Sequence, residues 1–110
     1  MTIIFDYNCN LNIPIEEQKQ HTVKYNSIKE IELMLLKHEI VISDGVKIGD
    51  NLTISDGVFI GNDCIIGNDC QLGWASCIEN DCIIGNNVII DGEKTVNSCS
   101  TIGNNSRIAY

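Results

Sequence analysis

Across 110 residues the sequence has one proline, one tryptophan, two histidines and only 5% aromatic residues, and it contains no long apolar run. No stretch approaches the roughly 18 apolar residues that span a membrane, and the N-terminus lacks the basic start and apolar core of a secretory leader. Seven scattered Lys and Arg residues stand against fifteen Asp and Glu, for a formal charge of −8. Nucleic-acid binding draws on clustered cations, so neither nucleic acid nor a membrane is expected as a partner. The chain reads as a soluble, cytoplasmic protein of one domain. It has six cysteines, none in a CxxC pair. Zinc sites use closely paired Cys or His; Cys64, Cys70, Cys77 and Cys82 lack that spacing, so no metal is expected. Without a secretion signal, reduced thiols are favoured over a disulfide framework.

What the sequence does have is a period of six. Every sixth residue from position 42 is aliphatic: Ile42, Ile48, Ile54, Ile60, Ile66, Leu72, Ile78, Ile84, Ile90, Val96, Ile102 and Ile108. At 44% hydrophobic residues overall, chance would leave about half of these positions polar, so the repeat is real and outranks other readings. Two residues before each aliphatic runs a mostly smaller series, Val46, Leu52, Val58, Cys64, Cys70, Ser76, Cys82 and Val88, then Lys94, Ser100 and Ser106. Residues two apart in a strand share a face, so each hexad offers one small and one large inward side chain. Between them fall Gly45, Asn51, Gly57, Asp63, Asp69, Asp81, Asn87 and Asn105, residues that tolerate positive φ. Strands this short at this spacing fit neither hairpins nor helical crossovers. Three hexads instead close one triangular turn of eighteen residues, and turns stack at about 4.8 Å. The expectation for residues 42–110 is a mainly β domain, a parallel β-helix of three to four coils.

The units IGNDCI, IGNDCQ, IENDCI and IGNNVI resemble those of the hexapeptide-repeat superfamily, over roughly three fifths of the chain. This resemblance implies a left-handed coil, against the general preference for right-handed crossovers. It also implies a homotrimer with parallel axes and an acyltransferase that uses acetyl-CoA or another acyl-CoA as co-substrate, with no tightly bound cofactor. The related γ-class carbonic anhydrases need three His ligands for zinc, which this chain does not have.

Residues 1–41 read as an N-terminal strand and helix cap. Thr2 to Phe5 forms the strand, and Ser27 with Glu30 suggests a capping box opening a helix to about Lys37, with Ile28, Ile31, Met34 and Leu35 as its apolar side. The region around Pro14 gives no element. Repeat stacks need covered ends, and this strand and helix are expected to cover the first coil. Lys94 falls at an inward position, which predicts a bulge or outward loop between Gly92 and Val96, because Lys is almost never buried unpaired. Trp74 falls at a corner and should project outward beside Gly73 and Ala75. Cys64 should stack over Cys82 as a reduced core pair.

Read at intervals of eighteen, the outward positions sort by face. Face one carries Val41, Phe59, Cys77 and Thr95, face two Lys47, Ile65, Ile83 and Thr101, and face three Thr53, Gln71, Ile89 and Arg107. Apolar stripes on the first two faces mark a partner surface, with Phe59, Ile65, Cys77 and Ile83 as the expected oligomer interface. Cys77 has no neighbouring cation to activate it. The resemblance implies a catalytic His near a subunit interface, yet the coils contain none. His38 and His21 are therefore the candidate bases, with a hydrogen-bonded His at a helix end as the structural alternative for His38. Trp74 is a candidate to stack on a nucleotide or pantetheine arm, or to anchor an interface. Two functions stay open. One is an acyl-CoA-dependent acyltransferase acting on a sugar, nucleotide-sugar or other small acceptor, which the commonest use of the scaffold favours. The other is a non-catalytic β-helix for assembly or binding, which the missing coil His and the short stack favour.

Overall fold

The structure, a computed structural model, describes residues 1–6 and 21–108; Pro14 lies outside them. Strands β1 (Thr2–Asp6) and β2 (His21–Lys24) precede a 3-10 turn, Ile28–Ile31, and a short helix α1, Glu32–Lys37. Twelve strands then follow at six-residue spacing. Face one holds β3 (Val41–Ile42), β6 (Phe59–Ile60), β9 (Cys77–Ile78) and β12 (Thr95–Val96). Face two holds β4 (Lys47–Ile48), β7 (Ile65–Ile66), β10 (Ile83–Ile84) and β13 (Thr101–Ile102). Face three holds β5 (Leu52–Ser55), β8 (Gln71–Leu72), β11 (Ile89–Ile90) and β14 (Arg107–Ile108). Every pairing within a face is parallel and advances by eighteen residues, as in Ile65↔Ile83 and Phe59↔Cys77. Four stacked turns result, and the outward residues sort onto the three faces as the period predicts.

The interior is built from the two inward series. Ile54, Ile60, Ile66, Leu72, Ile78, Ile84 and Ile90 are all but fully buried, as are Val58, Cys64, Cys70, Cys82 and Val88. Each aliphatic contributes about 1.5–3 kcal/mol, so the middle turns dominate the core. The outermost aliphatics Ile42, Ile48, Ile102 and Ile108 are partly exposed, because each has a covering turn on one side at most. Corners close through left-handed residues every six positions, from Glu39 (φ 58°) through Gly45 (77°) and Asp63 (59°) to Asn105 (63°). The eight Gly, Asn and Asp residues read from the sequence all adopt it. Ala75 (56°), Glu93 (62°) and Cys99 (62°) adopt it too, although a Cβ there costs about 1–2 kcal/mol.

Cys64 and Cys82 are free and buried. Their thiols, and that of Cys70, donate to main-chain oxygens fifteen residues on: Cys64 to Glu79 (2.9 Å), Cys70 to Gly85 (3.1 Å) and Cys82 to Asn97 (3.0 Å). These bonds satisfy corner carbonyls from inside the coil. Ser76, at the corresponding inward position on face one, is buried with its hydroxyl unpartnered.

The N-terminal residues seal the first turn. β1 runs parallel to β5, with Ile3 beside Leu52 and Phe5 beside Ile54, and β2 pairs antiparallel with β1 to complete a six-stranded sheet on face three. Ile31, Leu35 and Ile40 join the core, with Ile28 and Met34 packed against it. Two expectations need correction. The capping box does not form as such: the Ser27 side chain makes no cap bond, and Glu30 accepts instead from the Asn26 N–H at 2.9 Å. Nor is there a bulge at Lys94. Glu93 turns the corner like its counterparts, β12 keeps register with β9, and Lys94 is half-buried. Among the described residues, no rung beyond β12 covers its inward column. Among the described residues no helix is long and apolar enough to cross a membrane.

Candidate functional site on the third edge

A triangular coil has three edges, and two of them are chemically uniform. Between faces one and two the corner column is Asp44, Asn62, Asn80 and Ser98, and Asn80 Oδ1 accepts the Asn62 N–H at 2.8 Å. Between faces two and three it is Asp50, Asn68, Asn86 and Asn104. There each amide oxygen accepts the main-chain N–H one turn below, at 2.7 Å: Asn68 from Asp50, Asn86 from Asn68, and Asn104 from Asn86. Asp50 extends the ladder to the N-terminus by accepting from Thr2 at 2.7 Å. The Thr2 and Asn51 N–H groups hold its carboxyl below the usual aspartate value.

The third edge, between faces three and one, is different. Its column is His38, Asp56, Trp74 and Gly92, eighteen residues apart. Main-chain bonds from Gly57 to His38, Ala75 to Asp56 and Glu93 to Trp74, at 3.0, 3.0 and 2.7 Å, fix that alignment. His38, which closes α1, thus belongs to the coil as a corner before its first full turn. Its Nδ1 lies 2.8 Å from Asp56 Oδ1, its ring stacks on Phe5 at 4.8 Å between centroids, and only 4% of it reaches solvent. The pair fastens the helix to the coil. Asp56 carries no motif of its own; only the eighteen-residue step back from Trp74 through position 56 to 38 points to it. His21, the other candidate base, opens β2 opposite Phe5.

One turn above Asp56, Trp74 projects outward and is 43% exposed. It walls a cleft of about 340 Å³ on face three, lined by Thr53, Ser55, Gln71, Ile89 and Asp91. Arg107 reaches Asp91 at 3.3 Å. Among the described residues, the Trp74 indole, the Gln71 amide and the Thr53 hydroxyl make no hydrogen bond within the protein.

The expected interface residues line the two other faces. Phe59, Ile65 and Ile83 are 40%, 44% and 48% exposed, with Val41 beside Phe59. Cys77 is half-buried, and burial with the nearby Glu79 carboxylate pushes its thiol up, which makes it a poor nucleophile. Leu36 of α1 lies fully at the surface and shares a groove with Val41, so apolar surface runs from the helix onto face one. No three His, Cys, Asp or Glu side chains among the described residues converge as a metal site would require. Neither a protein-family model nor a curated protein matches this sequence.

Proposed function

We propose that this chain is a self-associating β-solenoid, an assembly and binding module without chemistry of its own. The observation that carries this reading is the exposed apolar surface of Phe59, Ile65 and Ile83 on two adjacent faces. Contiguous apolar surface of this kind marks a partner site, and a second copy supplies the same stripes at matching rung spacing. Three copies with parallel axes is the stoichiometry that the resemblance implies. Sedimentation velocity at micromolar concentration tests it. A trimer is expected, and Ile65→Lys with Ile83→Lys should dissociate it without altering the far-UV spectrum. A wild-type monomer would remove the proposal.

Acyl transfer is the second reading, favoured by one observation: His38, Asp56 and Trp74 share one edge. A carboxylate on Nδ1 orients an imidazole for general-base work. Burial of His38 weighs against it, since a base must come within hydrogen-bond reach of its acceptor. Titration with acetyl-CoA, followed by Trp74 fluorescence and heat, tests this reading. No binding at millimolar ligand would remove it. If acetyl-CoA binds, His38→Ala and His21→Ala assayed for acyl transfer identify the base.

A further inference from the structure

Trp74 occupies a position where the other two edges place ladder residues. An Asn there would bond to the turn below, and such a bond contributes about 1 kcal/mol. Trp74 forgoes it and also leaves the largest side chain of the repeat substantially in water. Neither choice stabilises the coil. Beside the indole the cleft collects an amide from Gln71, hydroxyls from Thr53 and Ser55, and the Asp91 carboxylate, over a floor that includes Ile89.

We infer that this cleft binds a neutral saccharide, with the C–H face of a sugar ring stacked on Trp74 and its hydroxyls bonded to Gln71, Thr53 and Asp91. Charge selects the ligand class. The lining includes the Asp91 carboxylate and no Lys or Arg, in a chain of net charge −8, and the nearby Arg107 is engaged by Asp91. Phosphate-bearing ligands are repelled there. A hydroxyl-rich neutral ligand needs donors and acceptors side by side, which an amide, hydroxyls and a carboxylate provide. Thr53, Gln71 and Ile89 stand on successive turns about 4.8 Å apart, so the cleft spans about the length of a disaccharide. It lies on face three, away from the stripes on faces one and two, and the inference does not depend on self-association.

Because Trp74 is the sole tryptophan, its emission reports on this cleft alone. The full chain is titrated with cellotriose, maltotriose and chitotriose, and with acetyl-CoA in parallel, by fluorescence and calorimetry. A single aromatic wall in an open cleft predicts a saturable blue shift with at least one trisaccharide and a Kd of about 1–10 mM. Gln71→Ala should weaken binding about tenfold, Trp74→Phe should retain it in part, and Ile65→Lys should leave it unchanged. The inference is overturned if no trisaccharide gives a saturable response, if Gln71→Ala binds as well as the parent chain, or if acetyl-CoA binds more tightly than all three.

Discussion

Several of the buried aliphatics are followed by a glycine at which the backbones of adjacent turns approach closely, and substituting it tests the stacking directly. At Gly67 a methyl group would lie 2.6 Å from the Gly85 carbonyl oxygen, 2.7 Å from its carbon and 2.5 Å from Asn86 Oδ1. Comfortable contact needs about 3.5 Å. The first two obstacles are backbone, so relief requires the turns to part by nearly 1 Å. That displacement would stretch the bonds from Gly67 to Ile84 (2.9 Å) and from Asn68 to Asn86 (2.7 Å). Losing most of two hydrogen bonds costs about 1–3 kcal/mol and the overpacking another 1–3 kcal/mol, while the stiffer unfolded chain returns about 0.4–1 kcal/mol. Gly67→Ala should therefore destabilise by about 2–4 kcal/mol, lowering Tm by about 10 °C or more in a chain of this size. Gly103 is the same repeat position in the last turn, and a methyl there would meet nothing within 4 Å. Gly103→Ala should be neutral or slightly stabilising. Thermal and urea unfolding followed by circular dichroism measures both, and amide exchange localises the effect, since stacked repeats open in segments. Equal effects at 67 and 103, or no effect at 67, would refute the stacking geometry.

Ala75 is held at φ 56°, so Ala75→Gly should relieve about 1–2 kcal/mol of strain against about 0.4–1 kcal/mol of added chain entropy, raising the urea midpoint slightly; a lower midpoint would show that the methyl is needed. Asp50 has its carboxyl lowered by the Thr2 and Asn51 N–H groups, so its contribution is present above the free value near 3.9 and lost as pH falls through the lowered one. The Thr2 and Asn51 amide resonances should titrate together below the usual aspartate range and become pH-independent in Asp50→Asn. Burial raises the Cys64 and Cys70 thiols, so stability should decline as pH rises above the free thiol value near 8.5. Site-resolved alkylation at pH 8 should modify exposed Cys99 rapidly and those two only on unfolding; rapid labelling of Cys70 in the folded protein would contradict the packing.

The period of six was sufficient for the architecture because each hexad repeats one local solution. Two inward residues fill the coil and one left-handed residue turns it, so Ile66 and Cys64 face inward for the same reason as Ile84 and Cys82. Residues outside that solution were harder to read. Ser27 and Glu30 have capping-box spacing, yet the carboxylate bonds Asn26 and the first turn is 3-10, because packing of Ile31 and Leu35 against the coil, not local capping, sets the helix. Lys94 keeps its inward position because that position is only half-buried in the last described turn. The Cys-to-carbonyl bonds carry no sequence signal, since Val46 shares the column of Cys64 and Cys82 and Val88 that of Cys70.

The third edge shows where regularity stops being informative about stability and begins to bear on function. Asn68 and Asn86 could be exchanged along their ladder with little consequence, because each does what the other does. His38, Asp56 and Trp74 could not. They share a column, yet one is buried against Phe5, one partners it, and one faces solvent over Gln71 and Asp91. A coil that needed only to stack would carry the Asn ladder on all three edges. The same eighteen-residue step that secures the fold brings these three unlike residues together, so the site is found by asking where the repeat places residues that the repeat itself does not need.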